Sequence, residues 1–276
     1  MELVVFDLDG TLLSADSKIS PYTKDTLAQL TASGVAYTVA TGRALHASRG
    51  LLDGHGFSLP HVYKNGVLVW HPGQGRYLQH NHLTLPEVEH VLHAVLAQHI
   101  TPFMFTLEPG NLHAVYHPPL QTEVEKRLAA DFSSRGGVQV LPAAQMPADA
   151  EISNISALGA AQAVDAVEQM IADEPNLVAY AGTALEGAEF NWIDIHHVEA
   201  SKGNAVTALR DELGFERVVC FGDSLNDLSM FEAADEAYAP SNAKPELLEA
   251  ATAVIGHHDA DGVAEFLRER FALAAD

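Results

Sequence analysis

The stretch Val4-Val5-Phe6-Asp7-Leu8-Asp9-Gly10-Thr11-Leu12-Leu13 governs how the rest of this chain is read. Leu3 to Phe6 is a short unbroken apolar run, the pattern of a strand buried on both faces, as in a parallel sheet. Two carboxylates, Asp7 and Asp9, follow at its end. In an extended chain alternate side chains share a face, so the pair is expected to point one way and Leu8 the other. Gly10 then permits a sharp turn. Ligands of open α/β sheets lie beyond the carboxyl ends of the strands, which makes Asp7 and Asp9 the first candidate functional residues.

Outward from this stretch, Ser20-Pro21 reads as a helix cap followed by proline in the first turn. Leu27 and Leu30 recur at helical spacing, and Gly34 stands where that helix should stop. Val35 to Ala40 reads as a second strand, which completes a βαβ unit. The end of the chain repeats the grammar. Ser201 caps a helix carrying Val206, Leu209 and Leu213 and ending at Gly214; Val218 to Phe221 is another buried strand; a helix starts at about Asp227; and Asp261 is expected to cap a last helix with Val263, Phe266 and Leu267. The middle differs. Thr84-Leu-Pro-Glu87 is a capping-box pattern leading into Val88, Val91, Leu92, Val95 and Leu96. A strand around Leu112–Tyr116 and a helix through Leu120, Val124, Leu128 and Phe132 follow, then strands around Ile152–Leu158, Leu177–Tyr180 and Phe190–Ile195. This pattern predicts an α/β core over 1–82 and 189–276, with an α+β insertion at about 83–188.

Three further segments carry candidate chemistry. Cys220-Phe-Gly-Asp-Ser-Leu-Asn-Asp-Leu-Ser-Met230 follows a buried strand and offers Asp223, Asn226 and Asp227. A hard divalent cation takes oxygen ligands, and carboxylates converging from two strand ends would supply them; Asp caps and solvated loop acids are the plain alternative. Thr38-Val-Ala-Thr-Gly-Arg43 ends the second strand with a hydroxyl, a glycine and a planar cation, all anion-binding parts. In Ser201-Lys-Gly-Asn-Ala-Val206, Lys202 lies at a helix N-terminus. Free N–H groups there favour anions, so a lysine is out of place unless a negative partner meets it.

Composition narrows the function. The chain has 276 residues, of which 47% are hydrophobic, enough for a sizeable core. Fifteen Lys and Arg face 37 Asp and Glu, a formal net charge of −22, which makes nucleic acid and anionic membranes poor partners. The single Cys220 excludes an internal disulfide and a four-cysteine zinc site. None of the 15 histidines, the pairs His196-His197 and His257-His258 and the cluster His80 and His82 included, has zinc-site spacing, and surface histidine is the simpler reading. Cys220 and Trp192 read as packing residues. Met1-Glu2 runs straight into the apolar strand without a basic leader, and no apolar stretch reaches ~18 residues, so a soluble, cytoplasmic protein is expected.

The four motifs, in this order, resemble those of the haloacid dehalogenase-like phosphatase superfamily. The long insertion between the second and third resembles its C2B-capped branch, the Cof-like sugar-phosphatase group. Lys64-Asn65-Gly66, Ser241–Ala251 and Asp261–Leu267 are similar to segments of that group as well. The resemblance implies a Rossmann-like parallel-sheet core with an inserted α+β cap. It implies a Mg²⁺-dependent phosphatase acting on a small phosphomonoester, a sugar phosphate or similar metabolite, through an aspartyl-phosphate. By that resemblance Asp7 is the nucleophile and Asp9 the general acid and base. Mg²⁺ is held by the carboxylates of Asp7 and Asp223 and the backbone carbonyl of Asp9. Leu8, Thr41, Gly42, Lys202 and Asn226 bind the phosphate, with Asp227, Arg43 and Asn65 in support. Asn154 stands where a basic residue is expected. The cap is expected to close about hinges near 81–84 and 186–190, and the protein to be a monomer or homodimer. A phosphomutase of the same superfamily and a non-catalytic phosphometabolite-binding module are the alternatives.

Overall fold

The structure, a computed structural model, describes residues 1–134, 137–184 and 189–274, with the side chains of all of these but 78–80. The chain forms two compact units, Met1–Gln79 with Ala200–Asp276, and His80–Glu199.

The first unit opens with β1 (Glu2–Phe6), α1 (Pro21–Ala32), β2 (Ala36–Val39) and α2 (Leu45–Leu52), followed by β3 (His61–Tyr63), β4 (Leu68–His71) and β5 (Arg76–His80). The inserted unit holds α3 (Leu85–Ala97), β6 (Pro102–Glu108), β7 (Leu112–His117), α4 (Glu123–Ser134), β8 (Val138–Pro142), β9 (Ile152–Ala160), α5 (Ala161–Ala172), β10 (Leu177–Thr183) and β11 (Phe190–His197). The first unit resumes with α6 (Lys202–Leu213), β12 (Arg217–Phe221), α7 (Leu228–Ala233), β13 (Glu236–Pro240), α8 (Pro245–Ala250), β14 (Ala253–Ile255) and α9 (Gly262–Arg270).

Five strands of the first unit make a parallel sheet in the order β14-β13-β12-β1-β2. The period of two in β1 divides its apolar run between two cores. Val4 and Phe6 pack with Leu27 and Leu30 of α1 and Val263 and Leu267 of α9. Leu3 and Val5 pack with Val206 and Leu209 of α6, Met230 of α7 and Leu247 of α8. A sheet buried on both faces needs apolar residues at every position, which is why β1 reads as a continuous run. Chain order reverses between β1 and β12, so loops on either side of that boundary leave a crevice at the carboxyl ends. Cys220 is fully buried on β12 and burial pushes its thiol pKa up, consistent with a small core residue.

The inserted unit is a six-stranded sheet in the order β10-β11-β9-β6-β7-β8, antiparallel except for β7 with β8. Helices α3 and α5 pack on one face through Val91, Val95, Val164 and Val167 against Ile155, Ile193 and Ile195. On α4, Ala129 packs with Phe103 and Val115. Among the described residues no helix is long and apolar enough to cross a membrane.

Two expectations need correction. The second boundary lies at 199 rather than 188, because β11 pairs along its length with β9 and β10 and so belongs to the insertion; the first lies at 79 rather than 82. Asp261 makes no side-chain cap on α9. Its carboxylate instead accepts from Ser20 Oγ at 2.5 Å and Thr23 Oγ1 at 2.9 Å, tying α9 to the start of α1. Residues 186–188 of the expected second hinge, and the side chain of His80, lie outside the described residues. Trp192 is 41% exposed and lies over Gly182 of the neighbouring strand, as a packing residue would.

A net charge of −22 on a chain of this size repels itself in the folded state more than in the expanded one. Raising salt from ~0.01 M to ~1 M shortens the Debye length from ~30 Å to ~3 Å. The thermal midpoint, followed by circular dichroism, should therefore rise by several degrees over that range. An unchanged or falling midpoint would mean the acidic charges are already locally compensated.

Candidate active site

Each strand of the central pair delivers a carboxylate just past its end. Asp7 follows β1, its N–H donating to Phe221 O at 2.9 Å, and Asp223 lies two residues beyond β12. The chain after Asp7 makes a tight turn over Leu8–Leu12, closed by Leu13 N–H on Leu8 O at 2.8 Å. Gly10 turns it with φ +75°, and a Cβ there would come within 2.5 Å of the Asp223 carboxylate. This glycine is needed both for its conformation and for the close approach. Thr11 Oγ1, from the same turn, donates to Asp223 Oδ1 at 3.1 Å.

Lys202 is the third part. Ser201 caps α6, its Oγ accepting from Asn204 N–H at 3.0 Å, and the next residue reaches inward. The Lys202 side chain is fully buried, and its Nζ donates to Asp7 Oδ1 and Asp227 Oδ1, each at 2.6 Å. The helix N-terminus disfavours a cation, and two carboxylates outweigh it. The other oxygen of Asp227 accepts the N–H groups of Asp223 and Ser224, both at 3.0 Å. Asp227 therefore holds both Lys202 and the loop that carries Asp223.

The charges do not balance. Asp7, Asp223 and Asp227 have carboxylate oxygens within 4.8 Å of one another, against one ammonium. Burial acts against the charge of Lys202, but Asp227 and Asp7 outweigh it and hold its pKa above the usual value. Asp7 is driven well above the usual carboxylate range, by burial first, with Asp227 and Asp223 adding to it and Lys202 opposing. Burial and Asp227 push Asp223 up to about 6, while the Thr11 hydroxyl pulls the other way. A hard divalent cation fits this all-oxygen, over-negative cluster.

A second group lies after β2. Thr41 is buried and its Oγ1 accepts the Arg43 N–H at 3.1 Å. Gly42 borders the side chains of Asn65 and Asn226, and Asn226 Nδ2 donates to Asn65 Oδ1 at 2.9 Å.

Asp9 departs from the expected shared direction. Its carboxylate stands outside the acidic cluster, with its side chain 54% exposed. Arg43 takes it in a fork, Nε to Oδ2 at 2.6 Å and Nη2 to Oδ1 at 2.5 Å, with Nη2 also on Ser17 Oγ at 3.0 Å. Arg43 is thus engaged by a carboxylate rather than held open for an anion. Leu8 contributes a buried side chain to the core. Asn154 lies in the inserted unit, where its Nδ2 donates to Asp194 Oδ1 at 2.6 Å and Ser156 also donates to that carboxylate.

Reading the motifs one by one missed three supports. Thr11 steadies Asp223, Asn242 Nδ2 donates to Gly10 O at 2.8 Å, and His258 N–H donates to Asn242 Oδ1 at 3.1 Å. Thr11 was within the decisive stretch, but its partner is 212 residues away, a pairing with no local signal.

Two buried carboxylates on one buried lysine, with the partly buried Asp223 alongside, at the switch point of a parallel sheet place this site among those of doubly wound α/β proteins. The family model described as haloacid dehalogenase-like hydrolase matches residues 4–267, and the chain belongs to that family. The chain is 28% identical to the 5-amino-6-(5-phospho-D-ribitylamino)uracil phosphatase YwtE of Bacillus subtilis, over 97% of each chain. It is 26% identical to the pyridoxal phosphate phosphatase YbhA of Escherichia coli, over 96% of this chain and 97% of that one. The solved subclass IIB sugar phosphatase BT4131 superposes with a TM-score of 0.75 at 19% identity, over 99% of this chain and 100% of its own, a likeness of fold.

Two measurements check this electrostatic account. Lys202→Met leaves Asp7 and Asp227 buried without their cation and should destabilise the protein by roughly 3–5 kcal/mol in denaturant unfolding at neutral pH; a loss under about 1 kcal/mol would mean the cluster relaxes into solvent. A cation must also displace the proton that Asp223 holds below about 6, so Mg²⁺ affinity measured by calorimetry should fall steeply as pH drops through that value. Metal-free stability responds in the opposite sense. The folded state holds a proton on Asp223 that the unfolded state has already lost, so this group contributes stability as pH falls from ~7 towards ~5.

Proposed function

We propose that this protein is a Mg²⁺-dependent phosphatase that hydrolyses a small phosphomonoester through an aspartyl-phosphate on Asp7. The observation that carries the reading is the buried Lys202 joined to Asp7 at 2.6 Å. An ammonium there keeps one carboxylate oxygen of Asp7 oriented and leaves the other to attack phosphorus in line.

Asp7, Asp223 and the Asp9 backbone carbonyl would hold the metal, which when bound supplies positive charge between nucleophile and phosphate. Thr41, the backbone of Leu8 and Gly42, Lys202 and Asn226 take the phosphate oxygens. Asp227 reaches the reaction only through Lys202 and the Asp223 loop, and is a positioning residue. Asp9 gives a proton to the leaving alcohol and then takes one from the attacking water. Both its oxygens are occupied by Arg43, so it must leave that fork to meet the leaving group. Arg43 accordingly acts on Asp9 rather than on the substrate.

The relatives' named substrates differ widely in what carries the phosphate, a ribitylamino-pyrimidine in one case and pyridoxal in another. A small phosphorylated metabolite is the class that fits this chain. Phosphate release from hexose, pentose and triose phosphates, pyridoxal phosphate, nucleotides and an aryl phosphate tests it, with Mg²⁺ and with chelator. Release should need the metal and concentrate on a few related esters. Asp7→Asn should abolish turnover, and Asp9→Asn should lower kcat by roughly a factor of 10²–10⁴, the usual worth of a general acid–base. Full activity in Asp7→Asn would sink the mechanism. An isomeric sugar phosphate in place of inorganic phosphate would make the protein a mutase.

A further inference from the structure

The turn Lys64–Gly66 holds the one run of three consecutive left-handed residues among those described, with φ of +49°, +56° and +101°. Two of the three carry side chains, for which this conformation is unfavourable, so the surrounding contacts must impose it. Those contacts reach all three loops on the phosphate side of the site. Lys64 N–H donates to Arg43 O and Asn65 N–H to Thr41 O, each at 3.0 Å. Gly66 lies so close to the Ser201 carbonyl, one residue before Lys202, that any Cβ would overlap it. Asn65 is buried, and its Oδ1 accepts from Asn226 Nδ2 at 2.9 Å. The same Oδ1 would be 3.1 Å from a Cβ on Gly42, and Asn226 Nδ2 would be 3.7 Å from it.

An asparagine amide has two N–H groups in one plane. With one donated to Asn65, the Asn226 amide is constrained and its nitrogen is kept beside Gly42, 3.7 Å from where a Cβ would lie. We propose that Asn65 is a positioning residue, whose side-chain carbonyl aims the Asn226 amide at the phosphate oxygens, and whose left-handed backbone brings that carbonyl within reach. The inference rests on the reading of this pocket as a phosphate site. The Asn65 Nδ2 lies beside Gly42 as well, 3.6 Å from the same Cβ position, so the test below separates a role through Asn226 from a direct contact.

The test is a double-mutant cycle on the whole protein with Mg²⁺ present. Inorganic phosphate binding is measured by calorimetry, and KM and kcat on the best ester of the panel. Asn65→Gly keeps the left-handed backbone and removes only the amide, so the thermal midpoint should stay near that of the natural chain. Asn226→Ala and Asn65→Gly should each weaken phosphate binding on the order of tenfold, with a larger effect on KM than on kcat. The double variant should bind no worse than Asn226→Ala alone, because Asn65 acts through Asn226. Natural affinity in Asn65→Gly, or losses that multiply in the double variant, would overturn the proposal. Should Asn65→Gly fail to fold, Asn65→Ser takes its place, since it too removes the side-chain carbonyl that accepts from Asn226. Its loss of affinity should vanish in the Asn226→Ala background, and persistence there overturns the proposal equally. If the natural chain neither binds phosphate nor hydrolyses any ester with Mg²⁺, the phosphate-site reading itself fails and the positioning role falls with it.

Discussion

One buried ammonium organises this site. Lys202 carries a charge that burial disfavours, lies at a helix end that disfavours it too, and is nevertheless fully enclosed. It is stable there because Asp7 and Asp227 each meet it at 2.6 Å. Those contacts join three chain segments that are far apart in sequence: the end of β1, the start of α6 and the loop after β12. Removing Lys202 leaves two buried carboxylates without their cation, and removing either carboxylate leaves the buried ammonium with a single partner, so the three positions are mutually enforced. With Asp223 alongside, the cluster still has more carboxylate than cation, and this surplus is the physical reason for expecting a divalent metal at that point rather than in any other acidic part of a very acidic chain.

The two aspartates of the first motif show how environment divides labour between identical side chains. Asp7 is sealed in the unit and tied to Lys202, and Asp9 is half exposed and forked to Arg43. Alternation along a strand would have sent both to the same place. The turn that begins at Leu8 ends the strand geometry, and a guanidinium with its own contact to Ser17 Oγ captures the second carboxylate. A nucleophile benefits from rigidity, whereas a group that must first give and then take a proton benefits from being able to move. The burial of the two residues fits the roles proposed for them, Asp7 as nucleophile and Asp9 as acid and base.

Beyond the charged supports Asp227 and Arg43, the next layer is made of amide and hydroxyl groups. Thr11 steadies Asp223, Asn242 ties the Gly10 carbonyl to His258, and Asn65 steadies Asn226. Neutral donors can fix geometry without adding to an already unbalanced electrostatic sum. The inserted unit has its own polar arrangement, with Asn154 and Ser156 converging on Asp194, where a basic residue was expected at 154.

The doubly covered parallel core, its insertion and the principal carboxylates were legible from the amino-acid order, because each depends on local pattern. Unbroken apolar runs mark strands buried on both faces, caps and glycines mark helix ends, and carboxylates directly after a buried strand fall at the sheet's carboxyl edge whatever the details. Other strands escaped that reading: β3, β4, β5, β8, β13 and β14 have three to five residues each, too few for a period to stand out, and the longer β6 escaped it too. Tertiary structure alone decided the rest. Whether Asp261 caps its own helix or holds another, whether Arg43 faces an anion or Asp9, and where β11 joins the insertion all depend on partners distant in sequence. Hydrogen bonds and ion pairs are set by proximity in space, and a one-dimensional pattern records the side chains that can form them but not which of them meet.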